Sequence, residues 1–456
     1  MKVLNKLFKF EERGTKLTTE LLGGLITFIA MIYILPLNAS ILSYMGMNRD
    51  GVFVATAIVS GVISIFMGLY GNFPIVLSAG MGVNAYLAYV IYAALRSWQA
   101  ALIVMFLAGV IFLLLTLTPI RVKIINAIPN DIKLIIGAGL GAFIAFVGLK
   151  NSGVIAMDTE TFVTLGDLSK PEVILSVIAI LVVMCLMFVP NKNIQRLAIP
   201  IGLVATVIIG IILHYAFFPE NVLLPHYDTA AKWGGRGIEE VAFGIFKDGE
   251  FWTTALKNPS TYAFIFSLIF VNLTDTTATL LAVGRGAGIV DEKGNLIGGK
   301  KVVLADAVGA AVCAPIGTST VTSFAESTVA VELGAKTGLV AVTAGLLFLL
   351  SAFIYPLFSI FNSPAVLSAA LVCVGASMFV GNLKDINWND RIVGFTAFLT
   401  VVLVLLTYSI SDGLGFGLIF YCLAMLVSKR GKEISPMLYG LAGLYIVYFV
   451  IKTIVG

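Results

Sequence analysis

Two acidic residues, Asp275 and Glu326, lie in stretches that otherwise have the composition of membrane-embedded segments. Each is surrounded by small and hydroxyl side chains, in FVNLTDTTATL (270–280) and in GTSTVTSFAESTVAV (317–331). An acid at the centre of a bilayer costs about 2.5–3.5 kcal/mol on the insertion scale, so such a residue faces a protein interior, a cavity or a partner. The two carboxylates therefore predict a transport site.

The surroundings of Asp275 favour a ligand or a proton as its partner. Asn272 and Thr279 are three and four residues away, so they share a helical face with the acid. A carboxylate there can accept a hydrogen bond from a ligand N–H group, or bind a proton whose release is tied to a transport cycle. The alternative is a structural acid that is hydrogen-bonded to a neighbouring helix.

The segment around Glu326 begins as extended backbone and continues as a short helix. Residues 317–320 precede a first helical turn that we predict near Ser323 to Glu326. Extended backbone is permitted at membrane depth only where it lines a cavity or is buried in protein. The positive dipole end of the half-helix favours a carboxylate or a polar ligand edge. An acid that merely caps its own helix is the alternative.

A similar segment occurs in the first half of the chain, in SAGMGVNAY (78–86). Gly80 and Gly82 would let the backbone approach a flat ligand, and Asn84 offers both a donor and an acceptor. Glycine pairs in membrane helices also mark close helix packing, so both interpretations stay open here. The spaced pair Gly137 and Gly141 is predicted to serve packing.

The composition identifies a polytopic membrane protein. Of its 456 residues, 59% are hydrophobic and 12% are charged, with a mean hydropathy of +1.02, which excludes a soluble globule. The net charge of +4 comes from short basic clusters beside apolar runs, which are topology signals and not a nucleic-acid surface. They predict a cytoplasmic N-terminus.

The pattern of apolar runs predicts an inverted repeat. Two atypical segments, 73–94 and 314–332, start extended and become helix-like, and they lie about 240 residues apart in corresponding positions of the two halves. This is the sequence signature of a transporter with broken helices. A further apolar stretch, 435–455, could span the membrane, lie in the interface or form a dimer contact. Spanning helices are predicted near residues 20–44, 52–70, 99–118, 132–149, 172–189, 198–218, 261–283, 337–358, 364–381, 391–409 and 412–428.

Taken together, these segments resemble the AzgA-like guanine/hypoxanthine/adenine permeases, in the nucleobase:cation symporter superfamily that also contains the uracil and xanthine permeases. The similarity spans nearly the whole chain, and the order and spacing of the segments make it specific. It rests on residues 72–89, 123–153, 270–280, ADAVGA (305–310), 317–331 and TYSISDG (407–413).

The resemblance implies an all-α fold of about fourteen spans in a seven-plus-seven inverted repeat, with a core domain that holds substrate and a gate domain that dimerises. We expect a cytoplasmic N-terminal tail and an extracellular loop to flank these domains. The expected boundaries are 1–19 for the tail, 20–122 and 261–358 for the core, 123–218 and 359–456 for the gate with the C-terminal stretch, and 219–260 for the loop.

From the same resemblance we expect a purine nucleobase:proton symporter of the cytoplasmic membrane that works as an elevator. Asp275 and Glu326 would hold the N–H edge of the base and exchange the proton, and Asn84 with the 317–323 backbone would contact its polar groups. Tyr86 or Phe324 would stack on the base. The complete predicted binding set is Gly82, Asn84, Tyr86, Asp275, Thr279, Ser323, Phe324 and Glu326.

One position departs from the family pattern. Members usually read FVDLFDT where this chain reads FVNLTDT, with Asn272 in place of an acid. The proton stoichiometry, coupling to Na⁺ instead of H⁺, and the choice among hypoxanthine, guanine and adenine therefore stay open. We expect no cofactor besides the ion gradient, no metal and no nucleic-acid partner.

Two other classes of function compete with this interpretation. An anion carrier on the same scaffold, for sulfate or bicarbonate, would need a positive pocket, but no Lys or Arg lies near the 317–331 junction. An enzyme would need a nucleophile with its base or a metal cluster, and His214 and His226 have no Cys, Asp or Glu at ligand spacing. A channel would show rapid flux that does not saturate.

Overall fold

The computed structural model describes residues 2–118, 121, 128–221, 223–226, 233–290 and 296–455, without the side chains of 2–4, 274, 275, 277, 278, 451, 452, 454 and 455. Helices dominate these residues, because a helix satisfies its own backbone groups where no water is present. The main helices are α1 (Leu17–Ser43), α2 (Arg49–Gly71), α3 (Met81–Leu95), α4 (Trp98–Leu117), α5 (Asn130–Asn151), α6 (Pro171–Phe188), α7 (Ala198–Phe217), α8 (Ser260–Gly286), α9 (Gly299–Ile316), α10 (Thr328–Glu332), α11 (Leu339–Ser351), α12 (Pro364–Leu383), α13 (Arg391–Leu406), α14 (Ile410–Val427) and α15 (Pro436–Val455).

Eight helices of the described chain are long and apolar enough to cross a membrane: α1, α2, α4, α5, α6, α7, α12 and α14. Shorter apolar stretches accompany them in α3, α8, α11, α13 and α15. The predicted all-α polytopic membrane fold is confirmed, while the count of fourteen spans stays a prediction. Short helices also occur at Lys2–Phe8, Phe10–Arg13, Lys192–Arg196, Ile238–Val241, Gly249–Lys257 and Tyr355–Ser359.

Two short strands pair deep inside the helical assembly. Strand β1 (Leu77–Ala79) runs antiparallel to a strand of the second half (Val321–Ser323), and every residue of both is buried. The Gly80 N–H group extends the ladder by donating to the Thr320 carbonyl at 3.0 Å. Each strand leads directly into a helix, so the two predicted broken segments are confirmed.

A second pair of strands forms an exposed hairpin between α5 and α6. Strands β2 (Ile155–Asp158) and β3 (Phe162–Leu165) are antiparallel. The strand that pairs with β1 comes later in the chain and is therefore β4 (Val321–Ser323). The Asp158 Oδ1 atom closes the turn by accepting from the backbone N–H groups of Glu160 and Thr161, both at 2.8 Å. The sequence analysis predicted no strands in this segment.

Helices from the two halves of the chain pack against each other in pairs. In one group, α2 contacts α11 and α4 contacts α9, while in the other α5 contacts both α12 and α13. This pairing follows the predicted division into core and gate. The division itself stays a prediction, and its expected boundary at residues 122–123 lies outside the described residues.

Glycines allow α5 and α12 to approach closely. A Cβ atom on Gly141 would lie 2.5 Å from the Phe379 backbone nitrogen and 2.7 Å from the Gly375 carbonyl oxygen. A Cβ atom on Gly137 would lie 2.7 Å from the Asn382 side chain. The predicted packing role of the Gly137 and Gly141 pair is therefore confirmed.

The C-terminal apolar stretch forms α15, which packs against α14 and α8. Its Phe449 ring lies 4.4 Å from the ring of Phe416 on α14. Its Tyr445 ring lies 5.4 Å from the ring of Phe266 on α8, in edge-to-face geometry. The helix thus lies across the seam between α8 and α14.

We predict that Gly141→Ala lowers the thermal stability of the detergent-solubilised protein, because the added methyl group overpacks the α5–α12 contact at a cost of roughly 1–3 kcal/mol. The matched control is Gly381→Ala on α12, where a new Cβ atom meets nothing within 4 Å. Both changes bring the same gain in helix propensity. Equal melting temperatures for the two variants would contradict the packing account.

Candidate functional site

A cavity of about 410 Å³ lies where the two strand–helix junctions meet. The junctions supply one wall through residues 80–83 and 322–326, and Thr279 of α8 adds to it. The opposite wall comes from α5, α7 and α12, and its lining residues are Leu140, Ile199, Val374, Ser377 and Met378. The cavity is therefore bounded by both helix groups.

Five residues of the predicted binding set line this cavity: Gly82, Thr279, Ser323, Phe324 and Glu326. They come from α3, α8 and the β4–α10 junction, and the pairing of β1 with β4 brings the two junctions together. Their assembly around one cavity is what the sequence analysis anticipated. Their role in binding stays a prediction.

The Glu326 carboxylate is held at the edge of the cavity by a tyrosine. It lies in a single 3-10 turn, Ala325–Ser327, directly after β4. Its Oε1 atom accepts a hydrogen bond from the Tyr33 hydroxyl at 3.1 Å. Tyr33 is buried at the break within α1, 293 residues earlier in the chain, and sequence reasoning missed it. Because Glu326 lines the cavity, its carboxylate can accept a further hydrogen bond from a ligand there.

Asp275 belongs to α8, but its side chain lies outside the described residues. Its predicted role stays a prediction. Asn272 is buried, and its Oδ1 atom has no hydrogen-bond partner among the described residues. Thr276 is also buried and donates to the Oδ1 atom of Asp306 at 3.4 Å.

Asp306 is a buried carboxylate that supports the site from behind. It lies on α9, and its Oδ1 atom accepts a hydrogen bond from the Ser323 hydroxyl at 3.0 Å as well as the one from Thr276. It therefore connects β4 to α8. The predicted binding set omitted it, although an acid inside an apolar helix was a visible signal.

Asn84 does not line the cavity. It is fully buried on the face of α3 toward α1, where its Nδ2 group donates to the Asn38 Oδ1 atom at 2.6 Å. Asn38 in turn donates to the hydroxyls of Thr56 and Thr318, at 2.7 and 2.9 Å. The amide thus joins the first junction to α1, α2 and the segment before β4.

Tyr86 is also directed away from the cavity. Its hydroxyl is hydrogen-bonded to that of Ser411 on α14, which lies 2.7 Å from the hydroxyl of Ser267 on α8. Its ring packs edge-to-face on Phe264 at 6.0 Å. Of the two aromatic residues predicted to stack on a base, Phe324 lines the cavity and Tyr86 does not, and the stacking itself stays a prediction.

The cavity wall suits a small, flat, polar ligand. Hydroxyls of Thr279 and Ser323 and the carboxylate of Glu326 provide hydrogen bonds, and Phe324 provides an aromatic surface. The first N–H groups of α3 have no intrahelical partner and can donate to a ligand. Among the described lining residues none is Lys or Arg. No group of three His, Cys, Asp or Glu with metal-holding geometry occurs in the described part of the chain.

Comparisons with known proteins agree on a transporter. A family model described as a permease family, that of the xanthine/uracil permeases, matches residues 18–416. "Putative permease MJ0326" of Methanocaldococcus jannaschii is 38% identical over 99% of both chains. Guanine/hypoxanthine permease PbuG of Bacillus subtilis is 36% identical over 98% of this chain and 99% of that one. Adenine permease AdeP of Escherichia coli is 34% identical over 98% of this chain and 96% of that one.

Solved structures share the fold at low identity. The transmembrane domain of the cyanobacterium bicarbonate transporter BicA matches with a TM-score of 0.62 and 16% identity, over 86% of this chain and 96% of that one. SLC26A9 matches with a TM-score of 0.63 and 12% identity, over 92% of this chain and 66% of that one. At these identities the likeness shows the architecture alone.

We predict that Asp306→Ala destabilises the folded protein by about 1–3 kcal/mol, because the buried hydroxyls of Ser323 and Thr276 lose their shared acceptor. Asp306→Asn keeps an acceptor oxygen of nearly the same shape and should cost less. Thermal denaturation of the purified variants measures the difference. A stability of Asp306→Ala equal to that of Asp306→Asn would show that the two hydrogen bonds do not support the junction.

Proposed function

The chain belongs to the xanthine/uracil permease family, and from this membership we propose that it transports purine nucleobases across the cytoplasmic membrane. As a member of a family of permeases it is a transporter and not an enzyme. Relatives at 34–36% identity over nearly their whole length are named for guanine, hypoxanthine and adenine. Those names support a purine as the substrate of this chain.

The observation that carries the proposal is the position of Glu326 beside the first turn of α3 on one wall of the cavity. A purine presents N–H donors on part of its rim and carbonyl or ring-nitrogen acceptors on the rest. Glu326 accepts from an N–H edge, and the free N–H groups near Gly82 donate to an acceptor edge. Phe324 contacts the face of the base. This division of donors and acceptors fits a flat heterocycle.

The cavity favours a nucleobase over the anions suggested by the shared fold. An anion site needs positive charge, and a carboxylate at the wall repels an anion. Glu326 is the charged residue among the described lining residues. The described lining residues therefore favour binding of a ligand that is neutral or rich in N–H donors.

We propose that acidic residues of the core bind the ion whose movement is coupled to transport. A neutral base cannot be concentrated by the membrane potential unless a cation moves with it. Glu326 and Asp275 would bind and release the proton during the cycle, since ionisable residues inside a membrane protein form proton relays. Na⁺ coupling is the alternative, and the experiment below distinguishes the two.

The proposed movement is an elevator motion of the core against the gate, with a homodimer formed through the gate and a cytoplasmic N-terminus. The cavity lies between the two helix groups, as such a motion needs. The polar contacts that cross the same interface include the Tyr86–Ser411 hydrogen bond and the Arg196–Glu332 ion pair. Both would break and re-form as the core moves.

We predict that Glu326→Gln reduces hypoxanthine uptake by tenfold or more, because a hydrogen bond to a charged group contributes about 1.5–3 kcal/mol. Residual uptake should no longer respond to an imposed pH gradient. Glu160→Gln, in the exposed β2–β3 turn, is the control. Labelled hypoxanthine in proteoliposomes, with a pH gradient or a Na⁺ gradient, provides the measurement. Wild-type uptake by correctly inserted Glu326→Gln would refute the assignment.

We also predict that uptake stops in the double variant Arg196→Cys/Glu332→Cys when a short bifunctional thiol reagent links the two introduced cysteines. The linker would hold the gate against the core and prevent their relative motion. The exposed Cys185 is first replaced by serine, since it would compete for the reagent. A cleavable reagent should allow uptake to return on reduction. Undiminished uptake by fully cross-linked protein would exclude an elevator motion between these two elements.

A further inference from the structure

The gate wall of the cavity carries a single polar side chain among its described residues. Ser377 on α12 lines the cavity beside Leu140, Ile199, Val374 and Met378, which are all apolar. Glu326, Ser323 and Thr279 all lie on the other wall. Ser377 is therefore the one side chain through which the described gate wall can form a hydrogen bond with a bound ligand.

The hydroxyl proton of Ser377 already takes part in a hydrogen bond within α12. Ser377 Oγ donates to the backbone carbonyl of Cys373, four residues earlier on the same helix, at 2.8 Å. A serine hydroxyl has one proton and two acceptor lone pairs. With its proton directed along α12, Ser377 presents only acceptor lone pairs to the cavity. A ligand N–H group opposite Ser377 can donate a hydrogen bond to it. A ligand carbonyl oxygen in the same place is repelled, because both oxygen atoms present lone pairs.

We propose that Ser377 is a specificity-determining residue that accepts a hydrogen bond from an exocyclic amino group of the purine. The inference rests on the proposed function, because it concerns which purine the same cavity prefers. Guanine differs from hypoxanthine by a 2-amino group, and adenine differs from unsubstituted purine by a 6-amino group. Each pair isolates one amino donor without changing the ring system.

The opposite wall is consistent with this role. When ionised, Glu326 is also an acceptor, so the cavity offers acceptors on two facing sides. A base with N–H groups on two edges then satisfies both. A base whose second edge is a carbonyl would require the Ser377 hydroxyl to rotate and give up its bond to Cys373. Amino-substituted purines therefore gain over their unsubstituted partners.

The test is a competition experiment in proteoliposomes with labelled hypoxanthine. Unlabelled guanine is compared with unlabelled hypoxanthine, and adenine with unsubstituted purine, for the wild type and Ser377→Ala. We expect the inhibition constant of at least one amino-bearing base to rise about three- to tenfold relative to its partner, the effect of one neutral hydrogen bond. The substitution should change the ratio of the two inhibition constants within a pair, and should not weaken all bases equally.

A second pair of variants separates the acceptor from side-chain size. Ser377→Thr keeps the hydroxyl, whereas Ser377→Val has almost the same volume as the threonine variant but carries a methyl group in place of the hydroxyl. The preference for the amino-bearing base of each pair should therefore persist in Ser377→Thr and fall in Ser377→Val. Size-exclusion chromatography confirms folding of each variant. Unchanged ratios, or equal weakening of both members of each pair, would overturn the role of Ser377. Absence of purine uptake by the wild type would instead overturn the proposed function.

Discussion

The pairing of β1 with β4 is the constraint from which the candidate site follows. Extended backbone at membrane depth leaves N–H and C=O groups that lipid cannot satisfy. Leu77–Ala79 and Val321–Ser323 satisfy each other, and Ser64 closes one end by exchanging hydrogen bonds with the Leu77 backbone, both at 3.0 Å. Because each strand leads at once into a helix, the pairing places two helix starts side by side. Gly82 and Glu326, far apart in the chain, then share one cavity.

The residues around the junctions divide into those that face the cavity and those that hold the wall in place. Asp306 fixes Ser323, Tyr33 fixes Glu326, and Asn38 fixes Asn84 together with Thr318. These supporting groups are polar and buried, so each is costly to leave unpaired. The bicarbonate transporter BicA and SLC26A9 share the architecture at low identity, and a shared fold does not by itself define the ligand. We propose that the side chains at the junctions select it.

The sequence was sufficient for the features that depend on local pattern. Composition and apolar runs predicted a polytopic helical protein, and small residues before Glu326 predicted the broken segment. Spacing could not give the rotation of α3, which turns Asn84 toward Asn38 and Tyr86 toward Ser411. Contacts between distant segments, such as Tyr33 with Glu326, leave no local signal. The ion coupling and the core–gate boundaries remain predictions, as does the role of Asp275.

The account is tested most directly by determining the structure of the protein with guanine bound. It predicts that the base occupies the cavity between the two junctions, with an N–H group within hydrogen-bonding distance of the Glu326 carboxylate and a ring face against Phe324. Guanine bound at another place, such as the apolar groove between α8 and α15 lined by Tyr262 and Leu444, with this cavity empty, would contradict it.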